Sequence, residues 1–214
     1  MEFHQTIKNG EKSRPSTTPL QTALSDLIDP SQRVCFLGIG STRMGDDGYG
    51  PYFIYQFLFG KFQFQHPQVR FINGRGTPED RIEEILDFRP DVLLIVDIIQ
   101  SQSPPGTVYL LKEESFVPLV PVSSHNMPLQ LFLQRLHEEI PSLDVFLLGI
   151  EPFSLDFLPE FRQFQREEYC MDDYEEHPDL PFFDFCLSAE MIEIIEPLVS
   201  EISEWLKEQY KSLD

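Results

Sequence analysis

Three features are scarce in this chain of 214 residues, and each shortage excludes a class of protein. Cysteine occurs only at Cys35, Cys170 and Cys186 without a CxxC pair, which excludes a disulfide framework or zinc knuckle and favours reduced thiols. Lysine and arginine total 16 against 36 aspartates and glutamates, giving a net charge of −20. Nucleic acid and anionic membranes require clustered cations, so neither is an expected partner, whereas a cationic partner or a metal ion is.

Long apolar runs are the third shortage. The longest, residues 92–96, is far shorter than the roughly 20 residues of a spanning helix, and residues 1–30 contain no signal-peptide core. We therefore expect a cytoplasmic protein without membrane insertion. Residues 1–30 are predicted to be a flexible extension, with a short helix around residues 22–28. Residues 31–214 are expected to form one domain, with acidic and aromatic residues 152–186 as an ordered surface insertion.

Buried strands and amphipathic helices alternate along the rest of the chain. The strands are predicted at residues 33–40, 69–72, 91–97, 106–111 and 144–150, and the helices begin near residues 53, 77, 126 and 188. This pattern predicts a doubly wound α/β/α sandwich, with a mostly parallel sheet of about five strands and helices on both faces. We expect Thr77 and Ser188 to cap their helices, and Pro197 to kink or split the last one.

Ionisable side chains follow several of these strands. Asp47 comes after the first, glycine-rich strand end, Asp97 ends the third strand, and His125 precedes a helix. Each has an ordinary interpretation: an acid at a helix start, a turn cap and a loop histidine. Ligands of open α/β sheets bind at the carboxyl ends of the strands, where these three would meet. Two carboxylates and an imidazole with open positions suit a divalent transition metal.

A nucleotide-binding domain is the alternative from another class. Gly38 and Gly40 supply the first two glycines of GxGxxG, but Arg43 stands at the third position. Asp46 and Asp47 occupy the helix entry, where a pyrophosphate would need bare backbone amides. The two carboxylates therefore argue against this alternative.

Three segments together resemble the endopeptidases that mature nickel-iron hydrogenases. They are the GDDGxGP loop, the VD strand end followed by a Pro-Gly turn, and SHNMPL, and the similarity covers about residues 33–151 and 187–198. The resemblance implies that Asp47, Asp97 and His125 bind nickel. It also makes Asp47 and Asp97 the candidates for a catalytic carboxylate.

The resemblance further implies a substrate. Members of this family remove the C-terminal extension of a hydrogenase large-subunit precursor after nickel insertion, so the nickel is supplied by the precursor rather than permanently bound. On this basis Asn73, Arg75 and Asn126 are expected to contact the substrate. Asp46 is a weaker candidate for general base, and the acidic insertion is expected to dock a basic surface of the precursor.

The chain departs from the family pattern at three places. Ser41 stands where the family has asparagine, Asn73-Gly74-Arg75 replaces Asp-Gly-Gly, and Gln100 replaces a second aspartate. The second change removes a carboxylate and adds a cation beside the expected site. It keeps open the alternative of a non-catalytic chaperone of the same fold that recognises the nickel-loaded precursor.

Overall fold

The computed structural model describes residues 3–5, 20–116, 128–155 and 186–210. The strands are β1 (Phe3–Gln5), β2 (Val34–Ile39), β3 (Val69–Arg75), β4 (Val92–Ile98), β5 (Val108–Lys112) and β6 (Asp144–Ile150). The α-helices are α1 (Leu20–Leu27), α2 (Tyr49–Leu58), α3 (Ile82–Phe88), α4 (Glu113–Phe116), α5 (Leu129–Glu139) and α6 (Ala189–Gln209). Two 3₁₀ turns, Gly45–Gly48 and Pro78–Arg81, lead into α2 and α3.

The six strands form one sheet in the order β1-β5-β6-β4-β2-β3. The four strands β6, β4, β2 and β3 are mutually parallel. Strand β5 pairs antiparallel with β6, and β1 runs parallel to β5, so the last two strands at this edge point the other way. Because β3 and β4 lie on opposite sides of β2, the strand order reverses between β2 and β4.

Helices cover both faces of the sheet and divide the core in two. On one face α1, α2 and α6 pack against alternate strand residues, with Trp205 of α6 fully buried among them. On the other face α3 and α5 pack against the remaining strand residues, including Ile95 and Ile99 around the end of β4. Strands β2 and β4 are therefore buried along their whole length, which fits their nearly continuous apolar runs.

The fold class predicted from the sequence is confirmed. The sheet has six strands rather than about five, because β1 adds a strand beside β5. The short helix predicted around residues 22–28 is present as α1, but the prediction that this part of the chain is a flexible extension is wrong. Leu20 and Leu24 are buried in the core, and Trp205 Nε1 donates a hydrogen bond of 3.0 Å to Ser25 Oγ.

The structure confirms one of the two predicted helix caps. Ser188 caps α6 as predicted, with its Oγ accepting a 3.1 Å hydrogen bond from Met191 N. Thr77 makes no side-chain cap, because the 3₁₀ turn Pro78–Arg81 separates it from α3. Helix α6 does not split at Pro197 but continues to Gln209, and its long apolar stripe packed on the sheet offsets the lost backbone hydrogen bond.

Two further expectations concern the acidic insertion and the membrane. The predicted insertion lies mostly outside the described residues, since 156–185 are not among them. Within the described ranges, no helix is both long enough and apolar enough to cross a membrane.

Helix α2 begins in direct contact with the ends of β2 and β4. A Cβ atom added at Gly50 would lie 2.3 Å from Ile39 O and 2.4 Å from Val96 O. Farther along α2, the ring of Phe57 stacks on Phe71 of β3 with centroids 4.6 Å apart. The absence of a side chain at residue 50 therefore lets the helix start sit against two neighbouring strand ends.

We expect Gly50→Ala to lower the free energy of unfolding by about 3 kcal/mol or more, because the new methyl group would overlap two backbone carbonyls. Gly149→Ala is the matched control, since its Cβ would meet side-chain atoms and no backbone, Ile99 at 3.3 Å and Leu147 at 3.4 Å. Urea unfolding followed by circular dichroism measures both. Equal stability of the two variants would contradict the proposed close packing.

Candidate active site at the carboxyl ends of the strands

The reversal of strand order between β2 and β4 creates a crevice at the carboxyl edge of the sheet. In open α/β sheets this is where ligands bind, because the loops leaving the two strands diverge to opposite faces. Here the diverging segments are the glycine-rich loop after β2 and the loop that follows Asp97. The two predicted catalytic carboxylates, Asp47 and Asp97, thus belong to the two segments that form this crevice.

Asp47 is fixed by the backbone of the loop that precedes it. Its Oδ2 accepts a 2.7 Å hydrogen bond from Ser41 N, and the residue is only 2% exposed. Gly40 makes this turn possible, because its φ is +130° and a Cβ there would lie 1.9 Å from Asp47 O. Because the donor is the backbone N–H of residue 41, the change from the family's asparagine to Ser41 leaves this hydrogen bond in place.

Asp97 lies next to the start of α2. Its residue is 1% exposed, and its Oδ1 accepts a 2.7 Å hydrogen bond from Ile98 N. Burial, and secondarily the charge of Asp97, raise the pKa of the Tyr49 phenol well above its usual range. The start of α2, two residues after Asp47, is therefore within the electrostatic field of Asp97.

The donor chemistry at this edge fits a divalent cation. Carboxylate oxygens such as those of Asp47 and Asp97 are suitable ligands for such an ion, and one oxygen of each is held in place by a backbone amide. Among the described residues, no set of three or more metal-ligating side chains comes together. A third ligand would have to come from a part of the chain outside the described ranges or from a bound partner.

His125 and Asn126 lie outside the described residues, so their roles stay predictions. Helix α5 is followed after four residues by β6, which starts at the amino edge, so the beginning of α5 lies toward the carboxyl edge. Asp97 lies between Ile95 and Ile99, whose side chains pack on the α5 face, and strand alternation directs Asp97 to that same face.

Asp46 has a structural role that the sequence analysis missed. Its Oδ2 accepts hydrogen bonds from Phe153 N at 2.8 Å and Ser154 N at 2.9 Å. Ser188 donates from its N to Oδ1 at 2.8 Å and from its Oγ to Oδ2 at 3.1 Å. This fully buried carboxylate joins the glycine-rich loop to the segment after β6 and to the start of α6. Four donors already occupy its oxygens, which makes it a poor general base.

Asn73 and Arg75 end β3 beside the glycine-rich loop. The register pairs Asn73 with Gly38 and Arg75 with Ile39. Arg75 has φ +53°, and its N donates a 3.3 Å hydrogen bond to Asn73 Oδ1. A left-handed backbone at this position explains why glycine occupies it in the family pattern. Asn73 retains a hydrogen-bonding side chain here, although the negative charge of the family's aspartate is lost.

A second buried acid, Glu151, was also missed. It follows β6 directly, is 8% exposed, and its Oε2 accepts hydrogen bonds from Ser101 N at 2.9 Å and Ser101 Oγ at 2.7 Å. Ser101 Oγ lies 2.7 Å from Tyr109 Oη in turn. This network fixes the loop that leaves Asp97. An acidic residue directly after a buried strand was the available sequence signal.

The fold and the carboxylates near the strand ends define an α/β enzyme whose site lies where the strand order reverses. Comparison with known proteins identifies the family within this class. The model of the family described as hydrogenase maturation protease (HycI) matches residues 56–163. The Escherichia coli K12 hydrogenase 3 maturation protease is 32% identical over 123 residues, which cover 56% of this chain and 74% of that protein. A putative hydrogenase maturation protease of Methanocaldococcus jannaschii is 27% identical over 144 residues, 65% of this chain and 84% of that protein.

Solved structures agree on the fold. The crystal structure of the [NiFe] hydrogenase maturation protease HycI from Thermococcus kodakarensis has a TM-score of 0.63 and 24% identity, covering 89% of this chain and 99% of that one. The solution structure of the Escherichia coli endopeptidase HycI has a TM-score of 0.56 and covers 80% and 90%. The chain belongs to the hydrogenase maturation protease family, and its resemblance to these peptidases is thereby confirmed.

We expect Asp46→Asn to lower the free energy of unfolding by about 2–3 kcal/mol, because the amide NH₂ would face backbone N–H donors. Asp26→Asn, on the exposed side of α1, is the matched control and should change stability by less than about 0.5 kcal/mol. Urea unfolding compares the two. If Asp46→Asn were as stable as the control, Asp46 would not be the link between these loops.

Proposed function

We propose that this hydrogenase maturation protease is a nickel-dependent endopeptidase, which removes the C-terminal extension of a nickel-iron hydrogenase large-subunit precursor after nickel insertion. The observation that carries the proposal is the placement of Asp47 and Asp97. Both carboxylates are almost fully buried, and each is oriented by a backbone amide on one of the two segments that form the crevice. Buried acids at such an edge are typical of a functional site rather than of packing.

In this proposal, Asp47, Asp97 and His125 hold the nickel that the precursor carries. Carboxylate oxygens and an imidazole nitrogen are suitable ligands for a divalent transition metal, and three of them leave positions for the precursor's own ligands. Bound there, nickel supplies a recognition anchor, a Lewis acid for the scissile carbonyl, or an activated water, and the residues themselves favour none of the three. The enzyme would therefore engage only a precursor that has received its metal.

The general base is assigned to Asp47 or Asp97. Both are adjacent to the proposed metal position, whereas Asp46 is committed to four hydrogen bonds that hold the fold together. A base must lie within hydrogen-bond reach of the attacking water, which favours a carboxylate that lines the crevice. Asn73, Arg75 and Asn126 are proposed to contact the precursor near the scissile bond.

Replacing any proposed nickel ligand should abolish processing. We expect Asp47→Asn, Asp97→Asn and His125→Ala each to lower kcat/KM about 100-fold or more, since each removes a group that acts on the metal or the attacking water. The assay is the intact mass of a nickel-loaded precursor over time. Asp87→Asn, an exposed carboxylate on α3, is the matched control and should retain the wild-type rate.

Other outcomes of the processing assay would contradict specific parts of the proposal. A wild-type rate in one of the three variants would remove that residue from the site. Cleavage of a nickel-free precursor at the same rate would contradict nickel dependence. A wild-type chain that forms a stable complex with the loaded precursor and leaves it uncut would favour the chaperone role, for which the exchange of the family's aspartate for Asn73 is the supporting observation.

A further inference from the structure

Strand β3 lies at the edge of the sheet. Within the described residues it pairs with β2 alone. Val34 N donates a hydrogen bond of 2.8 Å to Gln68 O, so by alternation residues 68, 70 and 72 direct their backbone groups to β2. Residues 69, 71 and 73 direct theirs outward. Such an edge can pair with an additional extended chain.

At both ends of β3, an outward-facing backbone group is hydrogen-bonded to another part of the chain. Val69 N donates a 3.1 Å hydrogen bond to His66 O, and Asn73 O accepts a 3.1 Å hydrogen bond from Arg81 Nε. Phe71 lies between these two positions, and its backbone amide and carbonyl face the outer side by the same alternation. The middle of β3 is therefore where an added strand would form its central hydrogen bonds.

A groove of about 700 Å³ runs along this edge. One wall is apolar and comes from the end of α2 and the loop after it, including Leu58, Phe59 and Phe64. The opposite wall is polar and includes Arg70, Arg81 and Glu84. Successive side chains of an extended segment point to opposite sides, so a segment paired with β3 would place alternate residues against the apolar and the charged walls.

The charged wall favours an acidic occupant. It contributes two arginines against one glutamate, although the chain as a whole has a net charge of −20. The guanidinium of Arg70 lies over the ring of Phe88 at 5.3 Å, which orients its charge on the exposed side of β3. The net negative charge of the chain disfavours the approach of an acidic segment in general. The basic wall of this groove would therefore select where such a segment binds.

The groove leads toward the candidate active site. Asn73 lines the groove and is also paired in register with Gly38, just before the loop that fixes Asp47. We propose that the β3 groove binds an extended, acidic segment of the precursor as an additional strand and directs it to the Asp47 and Asp97 carboxylates. This inference rests on the proposed function, because it names the binding surface for the same substrate.

Charge reversal tests the groove through the precursor-processing assay. We expect Arg70→Glu to raise KM about tenfold while kcat stays within about twofold, because the exposed arginine contacts the bound segment and not the scissile bond. Arg135→Glu is the matched control. It makes the same charge change on the exposed side of α5, where Arg135 pairs only with neighbouring glutamates of its own helix among the described residues, and should leave both constants unchanged.

Backbone pairing has a separate readout. Adding an excess of precursor to the full chain should slow amide hydrogen exchange at least about tenfold at residue 71, since that N–H would become a ladder donor. Arg70→Gln provides a milder variant, which should show a smaller rise in KM and retain the protection at high precursor concentration. The exchange measurement does not require that the protein cut its substrate.

The outcomes separate this inference from the function on which it rests. Normal processing by Arg70→Glu with unchanged exchange at residue 71 would overturn the groove proposal and leave the protease assignment intact. No processing by the wild-type chain, with protection still present, would overturn the function and retain the groove as a binding surface. Protection without precursor, together with a dimer in sedimentation, would show that a second copy occupies the edge and would overturn the precursor as its occupant.

Discussion

The close approach of α2 to the ends of β2 and β4 is the constraint on which the rest of the site depends. Gly50 brings the helix start against the carbonyls of Ile39 and Val96, and Gly40 folds the preceding loop back onto Asp47. The segments that carry Asp47 and Asp97 lie side by side because these backbones touch. Side chains at either glycine would separate the two segments, so the geometry of the site is set by backbone packing rather than by attraction between acidic groups.

Asp46 and Asp47 are adjacent in sequence, but the backbone points their carboxylates toward different partners, so the two residues have different roles. Asp46 accepts four hydrogen bonds and links both sides of the 156–185 segment to the glycine-rich loop. Asp47 accepts a hydrogen bond from Ser41 N and belongs to one of the two segments that form the crevice. Buried hydrogen bonds of this kind orient a functional group through its neighbours.

Sequence patterns predicted the fold well because the central strands are buried on both faces, and five consecutive aliphatics at residues 92–96 fit no other element. They also predicted Asp97 at the end of its strand, where β4 has it, and Asp47 in the glycine-rich loop after β2. They could not reveal Asp46 as a link, because its partners are 107 to 142 residues away and are mostly backbone amides. The packing of α1 against the core was missed for the same reason, since it depends on tertiary contacts rather than on local propensity.

The central claim is that one nickel ion can bind Asp47, Asp97 and His125 together. Crystals of the full chain soaked with Ni²⁺ and measured at the nickel absorption edge test it most directly. The account predicts one anomalous peak about 2 Å from a carboxylate oxygen of each aspartate and from a ring nitrogen of His125. An imidazole turned away from both carboxylates, or a peak bound elsewhere, would contradict it.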